Sequence, residues 1–125
     1  MKPFLLISMA IFVACSQERT FVNFDQESWQ KDKMACGEIR TKMAADFENI
    51  RRELLGFSQD DIIDVLGKPD LQLLQGRSQK FYVYFIETGS QCEGKTGLSQ
   101  ARTVSVRFNA LGLATEIIYA DGKPV

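Results

Sequence analysis

The chain has 125 residues, with 15 basic and 16 acidic side chains, a formal net charge of −1 and no histidine. That length suits one domain with its own core, and the near-neutral balance offers no basic surplus to hold nucleic acid. Lack of histidine removes the commonest general base and metal ligand, which excludes serine triads, His–Cys dyads and zinc sites built on histidine.

The N-terminus reads MKPFLLISMAIFVACS, with Lys2 its lone charge. The apolar run Phe4–Val13 is too short for a bilayer span, which takes about 20 helical residues. It fits the apolar core of a secretory signal instead. The pair Ala14-Cys15 at the end of this run resembles the bacterial lipobox. That resemblance implies cleavage before Cys15 and acylation of its sulfur and amine, with palmitate among the chains. The expected division is a signal peptide over 1–14, an acylated cysteine and tether over 15–24, and one domain over 25–125. Each buried methylene contributes about 0.8 kcal/mol, so two or more acyl chains anchor stably without a transmembrane helix. Ser16 does not resemble the aspartate that retains some lipoproteins at the inner membrane, so the reading leans to the outer membrane of the bacterial envelope.

Cys36 and Cys92 then remain of the three cysteines. In an oxidising compartment an even pair reads as a disulfide, and closing a loop of this length stabilises by roughly 4 kcal/mol in the chain-entropy account. The alternatives are a redox pair or a metal site. Redox dithiols lie much closer together in sequence, and two thiolates do not complete a metal shell.

Residues 25–54 lack proline and place Trp29, Cys36, Met43 and Ile50 at seven-residue intervals, with Phe47 and Leu54 following Met43 and Ile50 at four. The spacing predicts one long amphipathic helix, N-capped by Asp25 and ended by Gly56, with Gly37 a kink and Cys36 facing inward. Lys31, Asp32, Lys33, Arg51, Arg52 and Glu53 read as its solvated face. A second helix is expected at 59–66, opened by a Ser58/Asp61 capping box, with Asp60 and Asp64 also favourable to its dipole, and closed by Gly67 and Pro69. Leu71–Leu74 carries only a weak strand signal. Strands follow at 80–87, apolar on both faces and so covered on both, at 103–109, with Ser105 and Arg107 on a solvent side, and at 113–120 after a tight turn at 109–112. The sum is an α+β fold: two helices on one face of a three-stranded antiparallel sheet.

Residues 89–96, GSQCEGKT, satisfy the letters of a nucleotide-phosphate loop. Such a loop must open a long helix whose N-terminal amides meet the phosphates. Only a few residues separate Thr96 from the next strand, so the stretch reads as a hairpin loop carrying Cys92, and no nucleotide is expected.

From Leu54 onward a further pattern emerges. Leu54, Gly56, Phe57, Ser58, Ile62, Val65, Leu66, Gly67 and Pro69, then Tyr82-Val83-Tyr84-Phe85, then Val106-Arg107-Phe108-Asn109-Ala110-Leu111-Gly112 and Ile117, resemble the small outer-membrane lipoproteins of the BamE/SmpA-OmlA type. The resemblance spans 54–117. It implies two helices on a three-stranded antiparallel sheet and a role in envelope assembly. Phe57 stands where that family has methionine, and the Cys36/Cys92 pair is an addition.

No catalytic residue, metal site or cofactor is indicated. Tyr82, Tyr84 and Tyr119 are candidates for an exposed aromatic patch on the sheet face away from the helices, with Trp29 a further interface candidate; the competing reading packs them in the core. The expected function is a membrane-anchored, non-enzymatic binding or scaffold module with an envelope protein partner. The alternative is an inhibitor or ligand-binding lipoprotein using the sheet face or the Cys92 loop.

Overall fold

The structure, a computed structural model, describes Pro3, residues 20–77 and residues 79–124. The signal segment and Cys15 lie outside the described residues. Four strands, β1 (Leu71–Gln75), β2 (Gln79–Phe85), β3 (Arg102–Phe108) and β4 (Ala114–Asp121), form one antiparallel sheet in the order β1-β2-β3-β4. The expected three-stranded sheet is therefore corrected to four. The added strand is the weak signal at 71–74: Leu71 pairs with Val83 and Gln75 with Gln79. It was hard to see because its LQLLQ run has no β-branched residue and its exposed Leu74 breaks the alternation.

The single long helix is corrected as well. Residues 26–54 form α1 (Gln26–Lys31), α2 (Ile39–Lys42) and α3 (Ala44–Ile50), with 3₁₀ turns at Lys33–Ala35 and Arg51–Leu54. Asp25 does cap α1, accepting from Ser28 N–H. The break at 32–38 follows from two carboxylates that take amides away from the helical ladder. Asp32 accepts from Gly37 N (2.7 Å) and Arg40 N (2.9 Å), and Asp70 accepts from Met34 N (3.1 Å). Glycine is needed at 37 because a Cβ there would lie 2.7 Å from the Asp32 carboxylate. Asp32, assigned to the solvated face, is thus buried at 5% exposure. The apolar stripe survives the break, since Trp29, Met43, Phe47, Ile50 and Leu54 are all buried. Cys36 alone leaves it and is exposed rather than inward-facing.

The last helix, α4 (Gln59–Leu66), matches expectation, with both halves of the Ser58/Asp61 capping box present. The helices and the inward side of the sheet enclose one core, to which Tyr82, Tyr84, Val104, Val106, Phe108 and Ile117 contribute from the strands. The other side of the sheet is covered too. Thr103 Oγ1 donates to Gly122 O (2.6 Å) and Gln75 Nε2 to Pro124 O (3.1 Å), so the tail crosses from β3 to β1 over β2. Phe81, Val83 and Phe85 are buried beyond the helix-side core, and so is Ser105, which was expected to meet solvent.

Arg40, 1% exposed, fixes the broken helical layer to the sheet. Its guanidinium donates to Asp70 Oδ2 (2.7 Å), Trp29 O (2.9 Å) and Phe85 O (3.2 Å), while Asp70 Oδ2 also accepts from Phe85 N (2.8 Å). The guanidinium also lies 5.2 Å from the centre of the Trp29 ring. Removing one partner of a buried pair leaves the other uncompensated and costs about 3–5 kcal/mol. Asp70→Ala should therefore lower the unfolding free energy from urea titration by that much, whereas a variant as stable as the parent would show the pair to be dispensable.

Candidate functional site

The four tyrosine and tryptophan candidates do not form a patch. Trp29 and Tyr84 are fully buried and Tyr82 is 3% exposed, so the interface reading of these three is corrected. Each is held from the helix side. Trp29 stacks on Phe47 at 5.2 Å, Tyr84 donates its hydroxyl to Gly67 O (2.8 Å), and Tyr82 meets Gln59 Oε1 (3.1 Å). Burial pushes the Tyr84 phenol far above its ordinary range. Tyr119 alone is part-exposed, and it faces the helices rather than the opposite side.

Tyr119 lines a cleft of about 670 Å³, against about 300–410 Å³ for three others. One wall is the α2–α3 segment with Thr41, Ala44, Ala45, Glu48 and Arg51. The other is the sheet end, with Ile86, Glu87 and Arg102 beside Tyr119. Two alanines in succession keep the helical wall low, and the hydroxyl of Thr41 donates to Ile86 O (2.7 Å), tying the two walls together.

The charges in this cleft divide into two kinds. Arg51 grips Glu48 with two hydrogen bonds, Nε to Oε2 (3.0 Å) and Nη2 to Oε1 (3.1 Å), and sends Nη1 to Ile117 O (3.3 Å). Tyr119 donates its hydroxyl to the same Glu48 carboxylate at 2.5 Å. Glu48 is accordingly lowered by its bonds from Arg51 and Tyr119. Tyr119 is pushed up to about 12, first by burial and then by its bond to Glu48. The guanidinium of Arg102 lies over the Tyr119 ring at 5.2 Å. Neither Arg102 nor Glu87 has an ion-pair partner among the described residues.

Cys36 and Cys92 are joined as expected, with Cα atoms 5.7 Å apart across 56 positions. The bond lies at the surface, between the irregular 32–38 segment and the β2–β3 connection. The GSQCEGKT stretch forms 3₁₀ turns at Ser90–Glu93 and Thr96–Leu98, and β3 starts at Arg102. Its amides turn inward on the loop, Cys92 N to Gly89 O and Lys95 N to Ser90 O, each at 3.0 Å. What starts at Thr96 is a three-residue 3₁₀ turn and not the long helix that such a loop must open. Gln91 anchors the loop, donating to Glu87 O (2.7 Å) and Met34 O (3.1 Å).

Among the described residues no group of three or more His, Cys, Asp and Glu side chains is placed to hold a metal, and no helix is long and apolar enough to cross a membrane. The chain matches no protein-family model, no curated protein and no solved structure.

Sequence reasoning missed Arg40, Asp70, Glu48, Glu87 and Arg102. A signal existed for the first. Arg40 sits four after Cys36 and three before Met43, on the apolar stripe, where a charge must find a buried partner. Arg102 and Glu87 gave none, because their importance comes from the sheet end they share.

Two outcomes follow from this geometry. Replacing Cys36 and Cys92 by serine should cost roughly 4 kcal/mol in chemical unfolding if the bond acts through loop closure, and non-reduced peptide mapping should recover the two cysteines linked. In an ultraviolet pH titration one tyrosine should ionise near pH 12. Since the folded phenol is raised above its ordinary 10.0, its contribution to stability is complete below pH 10 and is lost as pH climbs through 12. Glu48→Gln should move that midpoint back down.

Proposed function

We propose that the chain is a lipid-anchored, non-enzymatic binding module of the bacterial envelope, attached through acylated Cys15 to the outer membrane, with the Tyr119 cleft as its binding surface. The observation that carries this reading is the Cys36–Cys92 bond, formed at a solvent-exposed position. Such bonds persist outside the reducing cytosol, and the N-terminal signal pattern with Ala14-Cys15 supplies both a route and an anchor. The pattern over 54–117 that resembles the BamE/SmpA-OmlA lipoproteins favours envelope assembly as the setting and an envelope protein as the partner.

Binding is favoured over proton-transfer chemistry by the cleft's own groups. Tyr119 is raised and Glu48 is lowered, so both move away from neutral pH. The ligand-binding alternative shifts its surface accordingly: the sheet's second side lies under the tail and the Cys92 loop is pinned, which leaves the cleft.

The full chain and a Cys15→Ser variant, produced in a Gram-negative host, provide the test. The parent should sediment with membranes and give an intact mass showing loss of residues 1–14 and gain of acyl chains, and the variant should be released by osmotic shock. A parent that stays soluble with its start methionine retained would overturn the proposal.

A further inference from the structure

The cleft holds two carboxylates and two guanidiniums, and they are not used alike. Glu48 and Arg51 neutralise each other through paired hydrogen bonds. Glu87 and Arg102 have no ion-pair partner among the described residues, although their backbones are neighbours: Ile86 N, one residue before Glu87, donates to Arg102 O at 2.9 Å. Two opposite charges that line one cleft outside any ion pair among the described residues are complementary to a ligand that carries both signs.

The surroundings refine this. The Arg102 guanidinium lies over the Tyr119 ring, 5.2 Å from its centre, and a guanidinium has paired N–H donors that suit the two oxygens of a carboxylate. Ala44 and Ala45 let a ligand's backbone come close to α3. The volume, about 670 Å³, is that of a small-ligand site. A multiply charged anion such as a phosphate ester would meet Glu87 and Glu48 as well as Arg102, so it is disfavoured.

We propose that the cleft takes a short zwitterionic peptide whole, its carboxylate on Arg102 and its ammonium on Glu87. This rests on the reading of the chain as a binding module and names the class of its ligand. Both residues flank the β2–β3 connection that carries Cys92, so the disulfide holds this rim to the helical layer.

The test titrates the full, detergent-solubilised protein, labelled with nitrogen-15, with alanyl-alanine. Saturable shifts are expected at the amides of Ala44, Ala45, Glu87 and Arg102. Arg102→Gln should weaken binding about tenfold, the loss of one charged contact. N-acetyl-alanyl-alanine and alanyl-alanine amide should each bind more weakly than the free dipeptide to the unaltered protein, a comparison that needs no variant to fold. Absence of saturable shifts in the cleft, or equal binding of the capped and free peptides, would overturn the proposal. A protein that binds alanyl-alanine but is neither processed nor membrane-bound would sink the anchor and keep the cleft; the reverse result would do the opposite.

Discussion

A guanidinium sealed in an apolar layer is the constraint around which the rest of the molecule is arranged. Arg40 left unmatched where it lies would cost about 3–5 kcal/mol, a large share of a domain's net stability of about 5–15 kcal/mol. Its partners come from three places in the chain: the end of α1 through Trp29 O, the start of β1 through Asp70, and the end of β2 through Phe85 O. Satisfying that one side chain sets where α2 sits on the sheet. It also places α3 opposite Tyr119, which is what makes the cleft a cleft.

The helical layer bends to make these contacts. Met34, Ala35 and Glu38 take φ values of 60°, 57° and 62°, a region that costs a non-glycine residue about 1–2 kcal/mol each. Four restraints hold them there: Asp70 on Met34 N, Gln91 on Met34 O, Asp32 on Gly37 N, and the bond from Cys36 to Cys92. The disulfide is therefore one part of a larger clamp rather than an isolated staple, and its surface position follows from the bend. In an unbroken helix Cys36 would have continued the buried stripe.

What the sequence made legible was periodicity and capping. The apolar positions of 29–54, the capping box at Ser58, and the two-faced β2 could all be read because they depend on neighbours three, four or two residues away. What it hid depended on distant groups. No local signal says that Asp70 will take the amide of Met34, so a proline-free stretch with helical spacing reads as one helix although it is five short pieces. The tyrosines show the same limit. Tyr82, Tyr84 and Tyr119 look alike in the sequence, yet two are deep in the core and the third faces a gap between α3 and the sheet, a difference set by the helical layer's placement. The lipid anchor stands apart, since Cys15 is outside the described residues and its reading rests on the motif alone.

The tail has its own physical implication. Phe81, Val83 and Phe85 point away from the helices, and the segment Gly122–Pro124 that crosses them follows the last strand. A chain emerging N-terminus first would therefore display three greasy side chains on a half-built sheet until the segment after β4 followed. Throughout that interval the nascent domain would be a natural client for a holding chaperone.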